Sequence, residues 1–353
     1  MPVVNSAEYL IRTKSRHAEA VDERCKFVAR KPGQMAQFIH SAYFIALITH
    51  IAFPCSSFVR LQQVVNYERI WMNVLSIRVL ALLLLGLTAV SCSNIEQRVG
   101  KIIDTTREQP DQTRVAELLP FGNPSNATSE TSNRNNYLLF KRSFVLSYNN
   151  DRGTLNWIAW RTTINDLGES LPRPQFEPDS DLPITFKRIT PQDYSGSGYD
   201  RGHMVPSADR FGDPQSNSET FLTTNVVPQS ADLNQYVWEK LERYARGIVR
   251  RGSDVYTIAG VYGSRERLNG KVTVPSNCWK IIVVLPPGGS AMTIDENARV
   301  IAVDIPNENG IKKIYWQKFR VSVRQIEQKT GYNFFSDLPQ ELQDKLELRA
   351  DNY

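Results

Sequence analysis

The sequence predicts an α+β fold, a mainly antiparallel sheet core flanked by helices, on three observations. Short β-branched and aromatic runs bounded by Gly, Pro and Asn outnumber helical patterns. The two kinds of pattern do not alternate regularly along the chain. The clearest amphipathic helix follows directly on two extended runs, giving a strand, strand, helix segment.

Each element has its own signal. "YLLFKRSFVLSYNNDRGTLNWIAWR" (137–161) alternates apolar and polar residues around Asn149-Asn150-Asp151-Arg152-Gly153, a strand pair with a turn. "DRGHMVP" (200–206) is extended, and "TFLTTNVVPQ" (220–229) is a second strand. "DLNQYVWEKLERYARGIVRRG" (232–252) is a helix whose Leu233, Val237, Leu241, Ala245 and Ile248 make one apolar stripe. Asp232 with Gln235 resembles an N-terminal capping pair, and Gly252 ends the helix. Asn234, Trp238, Glu242 and Arg246 make a neighbouring stripe at four-residue spacing. "DVYTIAG" (254–260), "CWKIIVVL" (278–285) and "RVIAVDIP" (299–306) read as buried strands, and "LPQELQDKLELR" (338–349) as a terminal helix.

The N-terminal part is of another kind. "MNVLSIRVLALLLLGLTAVSC" (72–92) has a methionine, Arg78, an apolar run and a small-residue end, the signature of a secretory signal peptide. The apolar run is shorter than the ~20 residues of a membrane span. "TAVSC" is similar to a lipoprotein cleavage site, which would place a lipid on Cys92; the alternative is ordinary cleavage near Ser91. Met72 is then the expected start and residues 1–71 a doubtful N-terminal extension, the alternative being a genuine extension with a membrane anchor. Residues 93–120 read as a polar tether, and the folded domain as 121–353.

The chain has 353 residues and a net charge of +5. Residues 1–92 carry ten Lys/Arg against five Asp/Glu, hence the whole excess; the rest holds 32 of each sign. A globally basic, polyanion-coating body is therefore excluded, and any anion site is local. The cysteines are Cys25, Cys55, Cys92 and Cys278, with no C-x2-C spacing, which argues against a structural zinc. After Cys92 only Cys278 remains, so the body forms no internal disulfide, and Cys278 is expected in the core.

Histidine is scarcer still: His17, His40, His50 and His203. In residues 93–353 the one imidazole is His203, set in "SGSGYDRGHMVPSADR" (195–210). Any neutral-pH proton transfer through an imidazole in this body runs through it.

The tetrad Asp200-Arg201-Gly202-His203, the strand ending "TTNVVPQ", the Asn234 helix and "KVTVPSNCWKIIVVL" resemble, in that order, the DNA/RNA non-specific endonuclease family. The resemblance spans roughly residues 121–350 and implies a ββα-metal motif within the α+β fold. It implies that His203 is the general base, that Asn234 is the direct ligand of Mg²⁺ (or Mn²⁺), and that Glu242 reaches the ion through water. Arg246 and, at a spacing one residue short of the family pattern, Arg173 match phosphate-binding arginines. Asp200 and Arg201 match supporting positions in orientation and electrostatics. The implied activity is endonucleolytic hydrolysis of DNA and RNA to 5′-phosphate ends, with a proteinaceous inhibitor in some members. Export to the cell envelope or beyond fits an unspecific nuclease.

Chemistry supports the same roles. An imidazole of ordinary pKa ~6.5 takes a proton from water near neutral pH. Mg²⁺ prefers oxygen ligands and keeps several waters, so one amide oxygen suffices. Guanidinium forks suit phosphate oxygens. Gly202 is expected to let the backbone approach the phosphate. Simpler roles stand beside these: Glu242 and Arg246 as a surface salt bridge, Tyr199, Tyr236 and Trp238 as packing groups, Asp209 and Arg210 as a structural ion pair. The rival function is a surface nucleic-acid-binding lipoprotein with an inactive site.

Overall fold

The computed structural model describes residues 112–353. The expectations for residues 1–71, for the signal peptide at 72–92 and for most of the tether lie outside the described residues.

A short helix α1 (Gln112–Leu118) precedes three strands, β1 (Tyr137–Phe140), β2 (Val145–Asn149) and β3 (Thr154–Thr162). The segment 163–199 runs to a two-stranded ribbon, β4 (Asp200–His203) and β5 (Val226–Gln229), separated by α2 (Pro214–Glu219). A π-helical turn (Leu233–Trp238) then leads into α3 (Glu239–Arg250). After β6 (Asp254–Tyr262) come the small hairpin β7 (Arg267–Leu268) and β8 (Val272–Thr273), then β9 (Asn277–Leu285), β10 (Val300–Pro306) and β11 (Arg320–Val321). Helices α4 (Val323–Thr330) and α5 (Gln340–Leu348) close the chain. Seven strands form one antiparallel sheet in the order β1-β2-β3-β6-β9-β10-β11. The α+β fold expected from the sequence is borne out.

The sheet has a core on each face. Ile158 and Trp160 of β3 join Leu233, Val237, Leu241 and Ile248 of the π turn and α3 on one face. Trp157 and Ala159 of the same strand join Val323, Ile326 and Leu346 of α4 and α5 on the other. Covered on both faces, β6 and β9 are near-continuous apolar runs rather than alternating ones. Trp157, Trp160, Trp238 and Trp279 are fully buried. Truncating such a side chain to alanine costs about 3–5 kcal/mol.

Three expectations change in detail. The strand pair of 137–161 is three strands, because Lys141–Phe144 makes a further turn, with Lys141 N donating to Phe144 O. That turn has no Gly or Pro; Lys141 is held by Asp179 and Asp181, and Arg210 by Ser143. The strand expected at 220–229 is confined to Val226–Gln229, because Thr220 caps α2 and Thr223–Asn225 is a tight turn. Asp232 does not cap the helix; its carboxylate accepts the amides of Gly310 and Lys312.

Candidate active site

The turn before β4 uses Gly196 and Gly198 at φ +69° and +77°, where other residues are strained. It leads to β4, in which Asp200 stands opposite Gln229 and His203 opposite Val226 of β5. The close approach that Gly202 permits is to protein: a Cβ there would run into the Gln229 side chain.

His203 packs between two phenyl rings, Phe176 at 5.0 Å between centroids and Phe221, edge-on, at 4.8 Å. Its Nε2 is buried with no hydrogen-bond partner among the described residues. Burial, reinforced by the Arg173 guanidinium, pushes its pKa down to about 3. The ring is therefore neutral at pH 7, and its pKa lies below the ordinary value expected from the sequence because the ring is desolvated beside a cation. Arg173 and Arg201 are exposed, with their guanidinium carbons 5.7 and 5.0 Å from the Phe176 centroid.

Asn234 lies in the π-helical turn, a feature frequent at functional sites. The wider turn takes Asn234 off the regular stripe expected with Trp238, Glu242 and Arg246. Its amide Nδ2 donates to Asp200 Oδ2 at 2.9 Å, and Gln235 Nε2 donates to the same oxygen at 2.8 Å. Asp200 thus sets the rotation of the Asn234 amide and leaves its Oδ1 without a donor among the described residues. That oxygen fits a hard cation that takes its remaining ligands from water and substrate. Among the described residues no group of three or more His, Cys, Asp or Glu side chains could hold a metal.

Along α3, Glu242 and Arg246 do not pair with each other. Glu242 Oε1 lies 3.5 Å from Lys280 Nζ of β9, and Arg246 Nη1 lies 3.0 Å from Asp209 Oδ1. All four side chains are nearly buried. Burial raises the Glu242 pKa to about 7, against the pull of Lys280; burial likewise lowers that of Lys280. Lys280 Nζ sits 4.2 Å from the Trp238 ring centroid and 5.4 Å from that of Trp160. Trp160 Nε1 donates to Asp209 Oδ2. Asp209 and Arg210 are not an ion pair either, since Arg210 Nη1 donates to the Asp209 backbone carbonyl.

The expected residues thus fall into three groups: His203 with Arg173 and Arg201; Asp200 with Asn234; Glu242 and Arg246. No hydrogen bond or ion pair joins the groups directly; β4 connects the first two, and the helix the last two. Trp238 packs as expected at 1 % exposure, Tyr199 bonds Glu266, and Tyr236 is 40 % exposed rather than packed. The sequence did not mark Lys280, Phe176 or Phe221, and it assigned Asp209 to Arg210 rather than to Arg246. The lone lysine in "CWKIIVVL" was the usable signal, because a charge in a buried strand needs a partner. Nothing local marked the two phenylalanines.

The chain matches the DNA/RNA non-specific endonuclease family over residues 122–341. It is 42 % identical over 265 residues to a nuclease of Nostoc sp. (strain PCC 7120 / SAG 25.82 / UTEX 2576), covering 74 % of this chain and 94 % of that one. It is 32 % identical over 238 residues to nuclease C1 of Cunninghamella echinulata var. echinulata, covering 63 % and 88 %. Among solved structures, one of the EndoG/EndoGI complex superposes with a TM-score of 0.54 at 24 % identity, over 67 % of this chain and 96 % of that one. That likeness concerns the fold; the match along the sequence supplies the rest, and on it the chain belongs to the DNA/RNA non-specific endonuclease family and is a nuclease.

Proposed function

We propose that the chain is an exported, Mg²⁺-dependent endonuclease that hydrolyses DNA and RNA phosphodiesters with His203 as general base and leaves 5′-phosphate ends. The observation that carries this reading is His203, whose Nε2 has no partner among the described residues, on the same four-residue strand whose Asp200 orients the Asn234 amide. Nucleases of this family depend on a divalent metal; Asn234 directly, and Glu242 through water, would hold Mg²⁺ here, with Mn²⁺ as a substitute. Such an ion, when bound, supplies positive charge for the crowded phosphate and the departing 3′ oxygen.

The chain's own residues do the rest. His203 takes the proton of the attacking water. Arg246, held by Asp209, and Arg173, placed over Phe176, offer guanidinium groups to the phosphate oxygens. Arg201 adds a cation beside them. Contacts confined to phosphate carry no base code, which suits action on both DNA and RNA. The proposal includes a nuclease domain at 121–353 behind a tether at 93–120, export by residues 72–92, and attachment through a lipid on Cys92. No helix among the described residues is long and apolar enough to cross a membrane. It also includes a proteinaceous inhibitor of the site, supported by the EndoG/EndoGI neighbour.

Plasmid nicking with Mg²⁺, Mn²⁺ or EDTA tests the reading. Cleavage in either metal that stops in EDTA is expected; binding without cleavage in any metal would favour an inactive binder. His203→Ala and Asn234→Ala should each lower the rate about 10²–10⁴-fold with folding intact. A wild-type rate in either one overturns the assigned role.

A further inference from the structure

We infer that Phe176 and Phe221 are positioning residues for His203, an aromatic bracket in the place where most histidine bases have a hydrogen-bonded carboxylate or carbonyl. The inference rests on the reading of His203 as the base and concerns what aims it. A histidine used for proton transfer ordinarily has one ring nitrogen fixed by an acceptor, which sets tautomer and orientation. Among the described residues His203 shows no such anchor: its Nε2 is buried without a partner, and the two rings against it are both phenyl. The last torsion of a histidine side chain is broad, so something must narrow it. Here the phenyl planes lie at 40° and 82° to the imidazole, and together they block its rotation from two directions.

The bracket is itself built firmly. Phe176 and Phe221 touch each other, with centroids 5.2 Å apart. Their backbones are stitched together: Glu177 N donates to Phe221 O at 3.2 Å, and Thr223 N donates to Glu177 O at 2.9 Å, around a parallel bridge between Glu177 and Leu222. Phe221 is 2 % exposed, so it cannot swing away; Phe176 is half-buried and forms the outer jaw.

The same two rings also place the charges that face the imidazole. Arg173, from the segment before the ribbon, lies over both phenyl rings, 5.7 and 5.6 Å from their centroids, and Arg201, from His203's own strand, lies over Phe176. Cations are drawn to ring faces. The bracket therefore couples three things that a nuclease base needs: orientation, a dry flank that favours the neutral ring, and cations beside the site of the anionic phosphate. Plain core packing would explain the burial of Phe221. It would not explain why a half-exposed phenylalanine is shared between one imidazole and two guanidinium groups.

The test uses the full chain and the variants Phe176→Leu, Phe176→Tyr and Phe221→Leu, with thermal unfolding as the check on folding. On a short DNA oligonucleotide with divalent metal, Phe176→Leu should lower kcat about tenfold or more while KM changes less than about threefold. Phe176→Tyr, which keeps the ring, should return kcat to within about threefold of wild type. Proton NMR gives a readout independent of cleavage. The His203 imidazole signals, assigned by their loss in His203→Ala, should lose their ring-current shift in Phe176→Leu, and their titration midpoint should rise toward ~6.5. Phe221→Leu should act in the same direction wherever it folds. A folded Phe176→Leu with wild-type kcat and unmoved His203 signals overturns the inference, as does a loss that Phe176→Tyr fails to repair. A wild-type rate in His203→Ala instead overturns the general-base reading, and the positioning role with it.

Discussion

Each face of the seven-stranded sheet is covered by helices that carry a cluster of charges, buried under α3 and part-exposed under α4 and α5, and the clusters are balanced differently. On the face covered by α3, two cations meet two carboxylates: Lys280 with Glu242, and Arg246 with Asp209. On the opposite face one cation, Arg324, meets three: Glu327 at 3.0 Å, Asp344 at 2.9 Å and Glu347 at 2.7 Å. The first cluster matches its charges one for one, Lys280 to Glu242 and Arg246 to Asp209, although burial still raises the Glu242 pKa to about 7. The second is short of positive charge, and protons supply the difference: burial and the neighbouring Glu327 push the Glu347 pKa up to about 8.

The largest expected effect breaks the first cluster. Asp209→Ala leaves Arg246, only 9 % exposed, without its carboxylate and Trp160 Nε1 without its acceptor. Removing one partner of a buried pair costs about 3–5 kcal/mol, readable as a lowered urea midpoint at constant slope. Cleavage should slow as well, because Arg246 loses the group that aims it. A loss of stability below about 1 kcal/mol would mean that the pair is more hydrated than its burial implies.

Lys280→Met comes next. Glu242, its nearby cation removed, answers by taking up a proton, so folding suffers less than in Asp209→Ala. The effect is expected in the metal: a carboxyl that must shed its proton before meeting a cation should raise the Mg²⁺ concentration for half-maximal rate about tenfold near pH 7. An unchanged metal requirement would separate Lys280 from Glu242's task.

The two clusters were unequally legible in the sequence. Glu242 and Arg246 stood out because the helical period and the family's order placed them at fixed distances from His203 and Asn234. Their partners Lys280 and Asp209 did not, since they come from a strand and a loop that only the tertiary fold brings to α3. Proximity along the chain also misled. Arg210 beside Asp209 read as an ion pair, and Arg246 four residues after Glu242 allowed one as the simpler alternative, yet burial sends each charge to a more distant partner. The sheet strands were readable from β-branched runs, whereas the Lys141–Phe144 turn was not, because ion pairs rather than Gly or Pro hold it. Phe176 and Phe221 carried no local signal at all; an aromatic residue in a loop looks the same whether it touches a histidine or solvent.

The smallest effect sharpens the comparison from the other side. Glu347 is 0 % exposed and joins α5 to α4 through Arg324. Its folded-state pKa of about 8 exceeds the ~4.3 of an unfolded glutamate, so between these values the folded chain holds a proton that the unfolded chain has lost. Stability from this group is full below about pH 4.3 and is lost as pH rises toward 8, the opposite of a salt-bridged carboxylate. Glutamine mimics the protonated form and cannot ionise. Glu347→Gln should therefore flatten the fall in stability between pH 5 and pH 8, measured as unfolding free energy at the two pH values. Cleavage by this variant should equal wild type at every pH where both are folded, because α5 packs on the face away from His203 and Asn234. An identical pH dependence in the two proteins would show that Arg324 alone compensates its three carboxylates, and that the two faces are balanced alike.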